Sequence, residues 1–324
     1  MLRRLAPAAA LALLPLPARA HGGMWVGPEE VWHAWTLDPW VIVPLALAWW
    51  LYGRGLARLW GKAGTGRGVA PWRAGCFALG MASLVLSLVW PLDAMGETLF
   101  SAHMAQHMVL LVLAPPLLVL GKPLAPWAAA LPRPWHRPLA RALRASVLRG
   151  PAALLARPWA GCLATAVVLW GWHTPAAFDA ALADPALHAL EHACFLAVGL
   201  GFWWGILNPA RGDPLAALSG AGAALVTLIH SGLLGALISL APVGLYDGYA
   251  GRGAPWGLGQ LEDQQLAGLV MWVPGGFAYL GAGLWLLATW LARGSRADTD
   301  GTAGHGEPPS PGNAGQVIGV RAGG

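Results

Sequence analysis

Two histidine pairs carry the chemistry that this sequence can do. His103 and His107 are four residues apart, and so are His188 and His192. On a helix that spacing projects two imidazoles from one face, one turn apart, within reach of a single metal or cofactor. Each pair stands where an apolar run of membrane-spanning length begins, and imidazole near lipid is costly without a partner. Neutral imidazole suits copper, zinc, iron and haem, and thioether ligands shift the preference towards Cu(I). Met104 and Met108 each follow a histidine directly. Adjacent helix positions diverge by about 100°, so neither methionine joins the face of the histidine before it.

The elements that position these pairs are membrane helices. The chain is 56% hydrophobic and only 11% charged, against about 25% charged residues in a soluble domain. Arg3 and Arg4, the apolar run Leu5–Leu16 and Ala18-Arg19-Ala20 read as a leader over 1–20 with an A-x-A cleavage site. Cleavage there makes His21 the first residue of an exported segment, 21–39. Seven runs follow that can span: 40–59, 72–91, 99–121, 158–177, 188–207, 215–241 and 266–292. The reading is an all-α, polytopic bundle of seven transmembrane helices over 40–292, with the N-terminus outside and the C-terminus inside. The tail 293–324 is rich in Gly, Pro, Ser and Asp and is expected to be disordered in the cytoplasm.

Basic residues test the topology independently. Every Lys and Arg after the leader falls in an expected inner segment, except Arg252, as the positive-inside rule requires. The Arg-rich stretch 133–157 has a single aromatic, Trp135, and no accompanying domain, so it suits the anionic inner leaflet and not nucleic acid. Apolar alternation over 139–148 suits an amphipathic helix lying on that leaflet. Pro44, Pro115-Pro116 and Pro274-Gly275-Gly276 interrupt the spans. They free backbone carbonyls that neighbouring helices or a cavity must satisfy. Cys76, Cys162 and Cys194 are far apart within apolar runs and read as packing residues.

This topology gives each histidine a depth. His103 lies roughly 6 Å and His107 roughly 12 Å below the outer end of the third span. His173 closes the fourth span in Trp172-His173-Thr174-Pro175, the second pair opens the fifth, and His230 is in the outer half of the sixth. All the histidines except His136 and His305 therefore fall outside or in the outer half. For His230 alone, a hydrogen bond to a carbonyl is as good an account as a ligand role. For His103, His107, His173, His188 and His192 together, a shared metal is the better one. Acidic residues also collect on this side, among them Glu191 beside His192, and some can fix imidazole tautomers from behind. Asp263-Gln264-Gln265 opens the last span at the same level, either as a helix cap or as site lining. A free α-amino group with His21 could chelate Cu(II), although a chance histidine after a cleavage site explains it as well.

Several blocks together resemble the CtaG family of cytochrome c oxidase assembly factors. They are Ser101-Ala102-His103-Met104-Ala105-Gln106-His107-Met108 with Ala114-Pro115-Pro116-Leu117, then Trp172-His173-Thr174-Pro175 and His188-Ala189-Leu190-Glu191-His192, and finally Asp263-Gln264-Gln265 with Met271-Trp272. The resemblance covers about 35 to 292. It implies seven spans in a bacterial plasma membrane and a part in copper supply to haem–copper oxidases. Oxidase subunits and periplasmic copper chaperones are the partners it implies. It does not extend to the tethered single-span copper chaperone that shares the CtaG name, which uses a periplasmic cysteine site.

The expectation is therefore an assembly factor, not an enzyme. It holds copper as Cu(I) at His103, His107, His173, His188 and His192, with His230, His21, Asp263, Gln264, Met104 and Met108 as further candidates. Two rivals remain at this stage. One is a haem-binding membrane oxidoreductase with axial histidines from different helices. The other is a copper transporter, against which stands the lack of charged residues at mid-membrane. A retinal protein is excluded, because Lys62 and Lys122 are the only lysines and both fall at the inner side.

Overall fold

The computed structural model describes residues 26–132, 134, 135, 138, 141, 146–209 and 215–303, with backbone alone over 146–148 and 294–303. The expected leader, His21, His136, most of the stretch 139–148 and the tail from 304 lie outside the described residues. Among those described, every regular element is helical. Besides three short 3-10 turns (Glu30–His33, Asp247–Tyr249 and Ala254–Trp256), they are, in chain order, α1 (Pro39–Ala63), α2 (Pro71–Leu88), α3 (Leu92–Gly96), α4 (Phe100–Met108), a π turn (Val109–Leu113), α5 (Ala114–Gly121), α6 (Leu124–Ala130), α7 (Ser146–Leu155), α8 (Pro158–Trp172), α9 (Pro175–Ala183), α10 (Pro185–Leu207), α11 (Ala216–Leu240) and α12 (Gln260–Ala303). Proline opens α1, α2, α8, α9 and α10. Its fixed φ suits a first helical turn, where an amide proton would be unpaired anyway.

Six of these are long and apolar enough to cross a membrane: α1, α2, the continuous α4–α5, α10, α11, and α12 as far as Arg293. Their outward faces expose large apolar side chains such as Leu113, Leu240 and Phe277, which lipid tolerates and water does not. The expected fourth span is different. The helix that begins at Pro158 ends at Trp172 and does not run on to 177. Its 15 residues rise about 22 Å, short of the roughly 30 Å hydrocarbon core. With Arg149–Leu155 it forms a pair bent by 93°, which makes a seventh span only if the broken pair counts as one. Pro175 causes the early stop. The residue before a proline is pushed to extended backbone, and Thr174 has φ −67° and ψ 136°. At the other end of the chain, α12 continues to Ala303, beyond where the tail is expected to start.

The α4–α5 helix is the axis of the bundle. In its apolar window 61% of the residues are buried, against 11% for α1. Pro115 and Pro116 interrupt it, and a π turn precedes them. Pro115 has no amide proton for the carbonyl four residues back, which is that of Leu111. Trp203 of α10 takes up that carbonyl, donating its indole N–H at 3.0 Å. Gly199 lets α10 approach the same turn, because a Cβ there would lie 3.1 Å from the carbonyls of Leu110 and Leu111. The kink expected from the prolines thus becomes a docking point between α4–α5 and α10.

The ends of the bundle are tied by polar contacts. Arg58 donates to the carbonyls of Ala129 and Ala130 at 2.9 and 2.6 Å, and Arg73 donates to that of Leu120 at 2.9 Å. The two guanidinium groups thereby meet the negative C-terminal ends of α6 and of the α4–α5 helix. The α11–α12 hairpin closes through facing glycines. A Cβ on Gly268 would lie 2.5 Å from the carbonyl oxygen of Gly235 and 2.5 Å from the amide nitrogen of Ser239. Gly268→Val should therefore force the helices apart at a cost of about 1–3 kcal/mol. Gly281, with nothing within 4 Å of its would-be Cβ, is the control. Thermal melts in detergent should show a lowered Tm for Gly268→Val and little change for Gly281→Val.

Candidate metal centre

Three helix termini meet at one end of the bundle, where α4 and α10 begin and α8 ends. The first turn of α4 has no cap of its own at Leu99. Asp263 of α12 supplies one from outside. Its carboxylate accepts the amides of Phe100 at 2.6 Å and Ser101 at 3.1 Å, and the Ser101 hydroxyl as well. Capping is one of the two roles expected for Asp263, but the helix it caps is α4; Glu262 bonds the Gly259 amide at the start of its own helix. On α10, Asp184 accepts from the amides of Ala186 and Leu187, and Pro185 occupies the first position. Each histidine pair thus begins at the end of a capped first turn, with His107 and His192 one turn further on.

Docking α4 on α10 brings the pairs together. The His103 and His107 rings are 4.4 Å apart, His188 and His192 4.2 Å, and His103 stacks on His188 at 5.1 Å. Glu191 enters between them. Its carboxylate oxygens lie 3.8 Å from His103 Nε2 and 3.5 Å from His107 Nε2. Two overlapping groups result, His103–His188–His192 and His103–His107–Glu191, and within each the ligand atoms lie within 4.8 Å of one another. His103, His107, Glu191 and His192 are buried, and His188 is half-buried. Nε2 of His103, His188 and His192, both ring nitrogens of His107, and both Glu191 oxygens have no hydrogen-bond partner among the described residues. Buried polar atoms left this way are expensive. A cation held by either group would give a partner to one nitrogen of each imidazole in it and, in the second group, to a Glu191 oxygen.

The surroundings set which nitrogen faces inward. Tyr249 gives its hydroxyl proton to the Gly96 carbonyl at 2.6 Å. It then accepts from His103 Nδ1–H at 3.1 Å, so the lone pair of His103 is on Nε2. Burial holds the Tyr249 phenol well above its usual range, which keeps that proton in place. His173 is fixed in the same manner, with Nδ1 donating to the Leu169 carbonyl at 2.7 Å. These are the hydrogen bonds that orient imidazole ligands from behind.

The remaining sequence candidates are placed as follows. His173 stands 5.5 Å from His107, ring to ring, and belongs to neither group of ligand atoms. Met104 does not join the face of His103; its sulfur lies 3.2 Å from His173 Nε2. Met108 is near Gly275 of α12. His230 sits on α11, half-buried, with both nitrogens unpartnered, and belongs to neither group. Gln264 accepts from the Leu245 amide and donates to the carbonyls of Ile238 and Val243. That use pins the connection between α11 and α12. His21 lies outside the described residues.

Two residues have roles that sequence reading missed. Glu191 appears there only as a partner behind the histidines, whereas its carboxylate stands among the ligand atoms. The spacing His188, Glu191, His192 is i, i+3, i+4 and already places all three on one helix face. Tyr249 has a fainter signal. The chain has 4 Tyr against 20 Trp, so a tyrosine in a Gly-rich connection suggests a use for the hydroxyl.

Removing the Asp263 cap should be felt at the histidines. Asp263→Ala leaves buried amides unpaired at a cost of about 1–3 kcal/mol, and a lowered Tm with weakened metal binding is expected. Arg252 ties the same corner, donating to the Glu97 carbonyl at 2.8 Å. Burial, with Asp93 adding to it and Arg252 opposing, raises the Glu97 carboxyl to about 7. A carboxyl that binds its proton more tightly when folded loses stability as pH rises from its ordinary value towards 7. Glu97→Gln should therefore gain Tm over the wild type at pH 8 and lose that advantage at pH 4.

The chain matches no curated protein and no solved structure. Residues 50–293 match the family model described as cytochrome c oxidase caa3 assembly factor, a stretch that contains every residue of the two ligand groups. The chain belongs to that family, the CtaG assembly factors of cytochrome c oxidase.

Proposed function

We propose that this protein carries Cu(I) on the exported side of the plasma membrane and supplies it to a maturing haem–copper oxidase. One observation carries the reading. Four imidazoles and one carboxylate, on two docked helices, present unpartnered atoms to one another at the end of a membrane bundle. Membership of the family supports the assembly role. The charge of the ligand set supports the ion. Neutral imidazoles with a single carboxylate neutralise a monovalent cation, whereas a divalent one would leave net charge in a buried site. Exported orientation is supported by Arg54, Arg58, Lys62, Arg67, Arg73 and Lys122, which all fall at the opposite end of the bundle.

The geometry favours a bare ion over haem. Rings packed 4.2 to 5.8 Å apart leave no slot for a macrocycle between them. Supply requires ligands that exchange readily, and His188, half-buried at the start of α10, gives an incoming or outgoing ion its first or last contact. An oxidase subunit or a periplasmic copper chaperone is the partner that such a contact serves.

Replacing both His103 and His107 by Ala should leave the protein in the membrane, remove bound copper from the purified material, and lower oxidase activity in cells grown at limiting copper. Metal analysis and an oxidase assay check this. Full oxidase activity in the double variant under those conditions overturns the assignment.

A further inference from the structure

His173 and Met104 form a contact that the histidine–carboxylate cluster does not use. His173 Nε2 and Met104 Sδ are 3.2 Å apart, and both side chains are buried, at 4% and 0% exposure. His173 Nδ1 is 2.7 Å from the Leu169 carbonyl, a distance that requires the ring proton on Nδ1. Nε2 therefore carries a lone pair, and it faces the lone pairs of a thioether. Neither atom can donate to the other. Doubly protonated imidazole would repair the contact only by burying a charge, which the apolar surroundings penalise.

A soft cation between the two atoms resolves this arrangement. The geometry points to a second copper station, in which His173 Nε2 and Met104 Sδ hold Cu(I), distinct from the histidine–carboxylate cluster. An imidazole with a thioether selects Cu(I) over zinc. His107 connects the two stations: its ring stands 4.4 Å from His103 and 5.5 Å from His173, and neither of its nitrogens has a hydrogen-bond partner among the described residues. The backbone holds the station from both sides. Tyr246 donates its hydroxyl to the His173 carbonyl at 2.9 Å, and Met104 directly follows the first turn of α4, whose amides Asp263 caps. This inference rests on the reading that the protein carries copper. It adds selection by the softness of a thioether to the charge match of the cluster, whose nitrogen and oxygen ligands do not by their type tell copper from zinc.

X-ray absorption at the copper edge of the full-length protein, loaded anaerobically with Cu(I), tests it. The wild type should show a sulfur scatterer together with nitrogen or oxygen. Met104→Leu, which keeps volume, should lose the sulfur signal and one equivalent of copper while Zn(II) binding is unchanged. Protein labelled with selenomethionine should show a copper–selenium path, a readout that needs no variant. Copper bound by nitrogen and oxygen alone in the wild type overturns the second station and leaves the cluster standing. No bound copper in any form overturns both readings.

Discussion

The Leu111 carbonyl is the point on which this structure turns. Pro115 releases it from the helix ladder, and the Trp203 indole takes it up at 3.0 Å. An unpaired carbonyl in a membrane interior costs several kcal/mol, so the two helices are held in one register at that point. The Gly199 approach to the same turn removes the side chain that would keep them apart. About one and two turns back along α4, that register sets His107 and His103 opposite His188, Glu191 and His192. The proline pair and the histidine pairs are thus parts of one device. The break that frees a backbone group is also what docks the ligand-bearing helices.

A site of unpaired nitrogen atoms has to be held open against collapse onto its own hydrogen bonds. Here each orienting bond comes from outside the cluster. Tyr249 holds His103 from the α11–α12 connection, the Leu169 carbonyl holds His173, and Asp263 caps the first turn of α4. Because these partners sit behind the rings, they leave the inward nitrogens free. The connection that supplies Tyr246 and Tyr249 is itself fastened by Gln264, through the Leu245 amide and the Val243 carbonyl. Helix, strap and cap therefore depend on one another, and loosening any one of them moves an imidazole.

Much of this was legible in the chain, and the reasons for the rest are physical. Local spacing survives folding, so the i, i+4 pairs could be read directly. The Pro115-Pro116 break was legible too, including the need for a neighbouring donor, but not that the donor is Trp203. Contacts between distant segments leave no such trace. Asp263 caps a helix that begins 163 residues earlier, and nothing near position 263 says so. Met104 is a further candidate in the sequence and not one of the main ligands, because it diverges from His103 on their own helix. That geometry was correct, and it turned the sulfur towards a different histidine on α8. The fourth span was read too long because hydropathy sums over Pro175, whereas the backbone stops before it.

His103 belongs to both groups of potential ligands, yet it has only one lone pair to give. Its Nδ1 proton is committed to Tyr249, so Nε2 can serve the group with His188 and His192 or the group with His107 and Glu191, not two ions at once. Structural metal sites are usually closed by four fixed ligands. Here two three-ligand sets compete for one shared nitrogen, one reaching the half-buried His188 and the other the fully buried His107 and Glu191. An ion passing between the sets would exchange the α10 imidazoles for His107 and Glu191 while His103 keeps hold of it. Sharing a ligand lowers the cost of leaving either set, a property that the proposed carrier role requires and a structural site does not.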